Sequence, residues 1–464
     1  MRVRDLFTIA GFLAAGVAIV AVPYFALVAL GLVVIFVLYA RQALWTSAIA
    51  ALVLVPMGGI FSSSAAASYS TAVISQEIEE GDPLRRVAII LLLLIGLALL
   101  VNRPRELRRA NLLIWIAIYG AIATASVLWS QDPELTLRHI VIAVAVSVFS
   151  MGVACVYYGR QAQGHIHLVR AICWTSTAAC SLILALAIYR GQFHVFDIAW
   201  RLGSSGHENQ TSQVAAVGFL AAVLTRARRE IWQSRPELLL AIGIPALVLL
   251  LSKSRTTWLG LLVGIVVAEL CSRRWTGKRL ALLLVMAGAL AAMVSTSSFQ
   301  QLWQRGESER EMATGSGRIE LWERVWPDVQ KHLWLGYGFG AFWSPRTVSA
   351  EAEVGAGQWA ATSAHNGYLD MVAQLGLVGL VVVLVLLAIS SRNAWRLMKY
   401  PEYHAIGLTL LALNSAVLAI NVSESFLEDI EYFPMIVVLT FSAFVSHRLS
   451  VLKSGTSSPS VMCV

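Results

Sequence analysis

The sequence predicts an all-α fold, a polytopic transmembrane helical bundle of about 12–14 spans. Of the 464 residues, 58% are hydrophobic and only 13% are charged, and the mean hydropathy is +0.70. A spanning helix needs roughly 20 mainly apolar residues, and stretches of that kind recur along the whole chain. This composition excludes a soluble globular protein.

The apolar stretches define the predicted spans in order along the chain. Pro23 either divides two short helices or kinks a single one. The number of spans is lower if it only kinks one helix. The predicted spans are 7–21, 23–40, 44–61, 86–101, 111–129, 137–157, 166–189, 211–225, 237–251, 256–271, 279–296, 366–390, 404–422 and 430–447.

Basic residues predict the orientation of the bundle, because Lys and Arg are enriched on cytoplasmic loops. Basic clusters near residues 103–109, 226–229, 273–279 and 392–399 all fall on one side of this threading, and Arg85 with Arg86 is its one discordant pair. Both termini then lie on the cytoplasmic side. The net charge of +8 follows from this topology, and we expect no binding to nucleic acid.

The threading divides the chain into five parts. We expect N-terminal helices in 1–110, central helices in 111–296, a large loop on the non-cytoplasmic side in 297–365, C-terminal helices in 366–447 and a cytoplasmic tail in 448–464.

Three arginines lie on the non-cytoplasmic side, close to predicted helix ends. They are Arg201, Arg255 and Arg318. A guanidinium near the membrane interface is costly unless an anion is close, and guanidinium donors match phosphate oxygens. Together they would form a binding site for a diphosphate. Alternatively, each is an interfacial anchor or pairs with a nearby Glu.

An amphipathic helix is predicted directly after Arg318. Its apolar residues are Ile319, Leu321, Trp322, Val325, Trp326 and Val329, with charged residues opposite. Such a helix lies on the membrane or caps the bundle. The tryptophans of this loop could stack on sugar rings, but an aromatic belt at the bilayer interface is the favoured interpretation.

His365 opens a predicted span at the non-cytoplasmic side. Histidine titrates near neutral pH, so His365 can accept a proton from an attacking hydroxyl and is the candidate general base. Asn366 and Asp370 are secondary candidates for orienting groups, although Asp370 lies off the helical face of His365. An acidic cluster in the last outer loop could balance the three arginines, but a solvated loop is the favoured interpretation. Its members are Glu424, Glu428, Asp429 and Glu431.

The segment from His365 resembles a known signature: His-Asn, nine residues, Gly376, two residues, Gly379. Further matching motifs occur in the same order along residues 120 to 380. These are Trp129-Ser130-Gln131-Asp132-Pro133-Glu134, Gly206-His207-Glu208-Asn209, Ser254-Arg255-Thr256, Gly317-Arg318 and Gly336-Tyr337-Gly338-Phe339-Gly340. The ordered set resembles the O-antigen ligase and polymerase superfamily of bacterial surface-polysaccharide assembly, and looks most like its exopolysaccharide polymerases.

The resemblance implies a glycosyltransferase of the bacterial inner membrane whose active face is periplasmic. Its donor would be a glycan on undecaprenyl diphosphate, and its acceptor another lipid-linked glycan or the lipid A core. His365 would be the base, while Arg255 and Arg318, with Arg201, would hold the diphosphate. We expect no metal and no cofactor, and a chain-length regulator is a candidate partner.

Two alternatives remain open from the sequence. The chain could be a ligase that joins glycan to lipid A core, since ligases share the same parts as polymerases. It could also be a lipid-linked oligosaccharide flippase or another transporter. Against transport, the candidate residues lie at the outer face and the chain shows no two-fold internal repeat.

Overall fold

The computed structural model describes the larger part of the chain. The described residues are 83–101, 112–158, 163–189, 200–202, 208–272, 315, 317–344, 347, 353–354, 359–360, 363–427 and 432–453. The predicted spans 7–21, 23–40, 44–61 and 279–296 lie outside them, as do His207, Glu428, Asp429 and Glu431.

Helices make up nearly all of the described secondary structure, so the all-α prediction is confirmed. Each predicted span within the described residues is occupied by a helix. The helices are α1 (Pro83–Val101), α2 (Leu112–Ala125), α3 (Pro133–Tyr158), α4 (Gly164–Tyr189), α5 (Glu208–Thr225), α6 (Arg235–Ser252), α7 (Arg255–Cys271), α8 (Arg318–Lys331), α9 (Gly367–Leu397), α10 (His404–Ile420) and α11 (Phe433–Lys453).

Short elements join these helices. Single 3-10 turns at Ser126–Leu128 and Pro401–Tyr403 follow α2 and precede α10. Two short strands, β1 (Glu353–Val354) and β2 (Trp359–Ala360), pair antiparallel with Glu353 opposite Ala360. The sequence did not predict this hairpin, which lies in the loop between α8 and α9.

Several helices have the length and composition of membrane spans. Among the described residues, α3, α4, α6, α9, α10 with its preceding 3-10 turn, and α11 are long and apolar enough to cross a bilayer, and α1 and α2 hold shorter apolar stretches. Exposed leucine, isoleucine and valine side chains on α1, α3, α6 and α7 are the surface expected to face lipid.

Small residues bring α7 and α10 together. A Cβ on Gly260 would lie 2.2 Å from the Ile420 side chain, and one on Gly264 would lie 2.9 Å from the Ala412 carbonyl oxygen. Helices inside membranes associate through such close approaches. This packing places the start of α7 beside the end of α10.

The amphipathic helix α8 caps the bundle. Its buried side chains Leu321, Val325 and Val329 pack with Tyr337, Phe342 and the start of α9. This confirms the predicted amphipathic helix. Of the two predicted positions, the packing supports the one in which the helix caps the bundle.

Helix α9 is interrupted at Gly376, whereas the sequence predicted that it continues through this position. Gly376 has φ +66° and ψ −171°, a conformation that residues with a Cβ rarely adopt. Hydrogen bonds from Leu377 N to Leu333 O and from Tyr337 N to Ala373 O, both 2.9 Å, join the interruption to segment 333–340. These bonds satisfy backbone groups that the break removes from the helical ladder.

Basic loops meet at the end of the bundle that includes the start of α10. Arg228 donates to the Pro401 carbonyl at 3.3 Å, and Arg448 Nε donates to the Tyr403 hydroxyl at 2.7 Å. The clusters near 226–229 and 392–399 and the end of α11 thus share one end, as the threading predicted.

Replacement of Gly376 by alanine should destabilise the protein. A Cβ at this position would lie 2.1 Å from the Trp334 carbonyl, and φ is positive, so we expect a loss of about 2 kcal/mol or more in the free energy of unfolding. The measurement is thermal unfolding of the purified protein in detergent.

The matched control is Gly243→Ala, since a Cβ at Gly243 in α6 meets nothing within 4 Å. Alanine is favoured over glycine inside a helix by up to about 1 kcal/mol. Equal melting temperatures for the two variants would contradict the role assigned to Gly376.

Candidate functional site at one end of the bundle

Polar side chains converge at the end of the bundle opposite the basic loops. Helices α5, α7 and α9 begin at this end, and α6 and α10 end there. A two-residue turn, 253–254, joins α6 to α7. Because the turn is short, the start of α7 lies beside the end of α6.

Arg201 is fixed at this end by several contacts. Its Nε donates to the Ser252 carbonyl at 2.9 Å, and its Nη2 donates to Asn209 Oδ1 at 2.8 Å. Its Nη1 lies 3.9 Å from Glu208 Oε2. Since each guanidinium nitrogen has a protein contact, Arg201 holds the end of α6 against the start of α5.

Glu424 is the acidic centre of the site. Asn209 Nδ2 donates to its Oε1 at 2.6 Å, and Arg318 Nη2 donates to the same oxygen at 2.9 Å. His365 Nδ1 lies 3.8 Å from Oε2, and the Glu424 side chain is only 9% exposed. The favoured prediction of a solvated acidic loop is therefore wrong for Glu424, because its carboxylate is nearly buried and contacts Arg318, His365 and the amide of Asn209 from three other segments.

The charges around Glu424 keep it ionised. Burial raises the pKa of Glu424, but the hydrogen bond to His365 and the positive charges of Arg318, His365 and Arg201 outweigh burial, so this pKa lies below its usual range. The carboxylate is consequently charged at neutral pH.

Arg255 is the first residue of α7 and its side chain is half-buried. On one side of it, Ser254 Oγ donates to Asn209 Oδ1 at 2.9 Å. On the other, Thr256 Oγ1 accepts from Ser423 Oγ at 3.1 Å. The backbone that carries Arg255 is thus held between the Asn209 and Glu424 segments, and the structure brings all three predicted arginines to one end.

His365 lies in a short segment that buried hydrogen bonds hold from both sides. Its φ is +48°, an uncommon conformation for a residue with a Cβ. The preceding Ala364 donates its N–H to Asp370 Oδ2 at 2.9 Å and accepts from Trp322 Nε1 at 2.7 Å. The following Asn366 donates its N–H to Ser425 Oγ at 2.8 Å.

Asp370 holds the backbone on both sides of His365. Its carboxylate is fully buried and accepts from Trp343 Nε1 at 2.6 Å as well as from the Ala364 N–H. It also accepts from the hydroxyl of Ser425, which in turn accepts from the Asn366 N–H. The Asp370 side chain therefore faces the interior of the bundle and contacts the His365 segment through these groups.

Asn366 acts on the backbone of α9. Its Oδ1 accepts from Tyr368 N and Leu369 N at 3.1 Å each, which makes it the N-cap of the helix. The next residue, Gly367, donates to the carbonyls of Asn421 and Glu424 at 2.9 Å each. The start of α9 thereby positions the loop that carries Glu424.

Two of the predicted motifs form a scaffold around the site. Gln131 N donates to the Tyr337 carbonyl at 3.1 Å, and Ser344 Oγ donates to Asp132 Oδ2 at 2.6 Å. Trp129 Nε1 donates to the Leu335 carbonyl at 3.1 Å. Segment 333–344 is thus held between the turn after α2 and the break in α9.

The predicted aromatic belt describes only part of the tryptophans. Trp334 is 69% exposed and Trp326 is 44% exposed, as an interfacial belt requires. Trp322 and Trp343, in contrast, donate to Ala364 and Asp370 and stabilise the His365 segment.

Sequence reasoning gave no role to Asn209 and the wrong environment to Glu424. Asn209 lies in the motif Gly206-His207-Glu208-Asn209, three positions after the glycine, and an amide there gives no sign of its partners. For Glu424, the sequence offered balance of the three outer arginines as the alternative, but the solvated loop was favoured over it.

Removal of the Glu424 charge should destabilise the protein in a pH-dependent way. Glu424→Gln keeps the shape but leaves Arg318 without its counter-charge, so we expect a loss of about 3 kcal/mol in the free energy of unfolding at neutral pH. Because the pKa of Glu424 is lowered, its charge stabilises the fold above the usual glutamate range. This stabilisation is lost as pH falls through the lowered pKa.

The measurement is denaturant unfolding in detergent at neutral and acidic pH, with Glu134→Gln as the control. Glu134 is 65% exposed and forms a surface ion pair with Arg138, so its loss should cost less than about 1 kcal/mol. An equal deficit of Glu424→Gln at both pH values would contradict the assigned charge state.

Similarity to known proteins agrees with the arrangement. A family model for O-antigen ligase matches residues 238–384, a range that includes Arg255, Arg318 and His365. The chain is also 22% identical over 290 residues to the exopolysaccharide production protein ExoQ of Rhizobium meliloti (strain 1021). The aligned region covers 59% of this chain and 63% of that protein. The chain thus spans less than two thirds of that relative. Together, the two matches support placing the chain in the O-antigen ligase and polymerase superfamily.

Proposed function

We propose that the protein is a membrane glycosyltransferase that transfers or polymerises undecaprenyl-diphosphate-linked glycan during surface polysaccharide biosynthesis. The reaction takes place at the periplasmic face of the inner membrane, with both termini on the cytoplasmic side. The observation that carries the proposal is the group of Arg201, Arg318 and His365 around Glu424, with Arg255 at the same end of a helical bundle whose residues 238–384 match an O-antigen ligase family model.

The donor diphosphate binds to Arg255 and Arg318. Both begin helices at the site, where the helix dipole adds to the positive potential. Guanidinium groups neutralise the charge that develops on the leaving diphosphate, a task that needs no metal ion. Arg201 is held by Ser252, Asn209 and Glu208, so its contribution is the long-range field and the position of Asn209.

His365 is the general base. With Nδ1 facing Glu424, the ring carries its proton on Nδ1 and uses Nε2 as the acceptor. The acceptor hydroxyl oxygen forms a bond to the anomeric carbon of the donor sugar, and the bond from this carbon to the diphosphate oxygen breaks. The hydroxyl proton moves to Nε2, and the electron pair leaves with undecaprenyl diphosphate. Glu424 then lies opposite the imidazolium.

The acceptor is a second lipid-linked glycan in this proposal, which makes the enzyme a polymerase. The support is the similarity to ExoQ, an exopolysaccharide production protein. A ligase would instead use the lipid A core, with the same donor site and base.

Reconstitution tests the reaction. Purified protein in liposomes should form a new glycosidic bond from lipid-linked glycan without an energy source and in the presence of a chelator. His365→Ala and Arg318→Ala should each lower the rate by at least about 100-fold. His332→Ala and Arg324→Ala are matched controls, since both residues are exposed near the same end. Movement of glycan across the membrane without bond formation would establish a flippase instead.

The glycan profile of a deletion strain separates polymerase from ligase. Loss of a polymerase leaves single repeat units on the lipid carrier, whereas loss of a ligase leaves long chains on the carrier and bare lipopolysaccharide core. Wild type should restore the surface glycan, and His365→Ala, Arg255→Ala and Arg318→Ala should not, at equal membrane levels.

Asp370→Asn should impair turnover through the position of His365. An amide at this buried position cannot accept the hydrogen bonds from Ala364, Trp343 and Ser425 together. We expect kcat to fall by about 10- to 100-fold with KM little changed, because the donor-binding arginines stay in place. A rise in KM at unchanged kcat would assign Asp370 to substrate binding.

A further inference from the structure

A groove runs between α8 and the first part of α9, next to the site. Its volume is about 460 Å³, which is large enough for one or two sugar rings with part of a lipid chain. The residues that define its chemistry are Trp322, Glu323 and Trp326 from α8 and Asn366, Leu369 and Leu380 from α9.

The side of the groove formed by α8 has the chemistry of a sugar-binding surface. Trp326 is 44% exposed, and Glu323 is an exposed carboxylate on the same helix. An indole face packs against the apolar face of a sugar ring, and a carboxylate accepts hydrogen bonds from sugar hydroxyls. The two groups together favour a carbohydrate over a purely apolar occupant.

The side formed by α9 is apolar and continues past the break in this helix. Leu369 precedes Gly376, and Leu380 follows it. Beyond the groove, Val381 is 56% exposed, as expected for a side chain that faces lipid. One molecule can contact both walls if it carries a sugar and an apolar chain.

The groove reaches the His365 segment. Asn366, which lines the groove, follows His365 directly. Trp322, also on the groove wall, donates to the carbonyl of Ala364, the residue before His365, at 2.7 Å. The His365 ring itself lies 3.8 Å from Glu424. The segment thus adjoins both the groove and the Arg318 and Glu424 cluster.

We propose that this groove binds the acceptor, a lipid-linked glycan whose sugar lies against Trp326 and Glu323. The proposal rests on the proposed function, since it names the second substrate of the same site. Arg318, Trp322 and Trp326 follow one another at four-residue intervals and so share one face of α8. This helix contacts the donor through its first residue and the acceptor through its next two turns.

Two variants test the groove without altering the contacts that hold His365. Trp326→Ala removes the exposed indole, and Glu323→Gln removes the carboxylate charge. The matched control for the indole is Trp334→Ala, at the same end of the bundle but outside the groove. The control for the carboxylate is Glu320→Gln, in the first turn of the same helix.

The full-length proteins are compared in liposomes with two probes. The first is the lipid-linked glycan that accumulates in the deletion strain, used to measure transfer, and the second is undecaprenyl diphosphate, used to measure binding at the arginines. The groove variants should raise the KM for lipid-linked glycan about tenfold and leave the affinity for undecaprenyl diphosphate within twofold. Arg255→Ala should weaken the binding of undecaprenyl diphosphate.

The outcomes separate the two proposals. An unchanged KM in both groove variants overturns the acceptor groove while leaving the proposed function intact. A parallel loss of affinity for undecaprenyl diphosphate in these variants also overturns it, because the groove would then serve the donor. Absence of transfer by the wild-type protein overturns the proposed function itself.

Discussion

Glu424 holds a negative charge in a nearly buried position where polar and positive groups from separate parts of the chain meet. Arg318 arrives from the start of α8, Asn209 from the start of α5, and His365 from the start of α9. Positive groups at the membrane interface repel one another and are costly to desolvate. The carboxylate offsets both effects, so the same end of the bundle can collect basic groups and remain folded. The positions of the arginines and the histidine depend on this one side chain.

The surrounding scaffold is built mainly from hydrogen bonds to backbone groups. Asp370 holds Ala364, Asn366 caps α9, and Gly367 donates to the loop that carries Glu424. Such contacts fix the backbone itself, so they restrict His365 to a narrow range of positions. Catalysis and selective binding both depend on this kind of restriction, because a displacement of about 1 Å lowers a rate strongly.

The sequence predicted the helices well, because a bilayer demands long apolar segments with internally satisfied backbones. It also selected Arg201, Arg255, Arg318 and His365, which the structure brings to one end of the bundle, since ionisable groups near a membrane are costly and therefore informative. It could not predict which groups pair. The burial of Glu424 depends on how α7 packs against α10, and the cap formed by Asn366 depends on the local backbone. The break at Gly376 resembles an ordinary small-residue contact in the sequence, because its cause is segment 333–340, more than 30 positions away.

The break in α9 also divides this helix mechanically. The part of α9 after Gly376 belongs to the apolar bundle. The first two turns, before Gly376, are hydrogen-bonded to segment 333–340 and to the loop after α10. An interrupted helical ladder bends more easily than a continuous one. Tilting of the lower part, as bilayers of different thickness require, is thus absorbed at the break. The reacting groups keep their mutual geometry while the membrane around the lower helix changes.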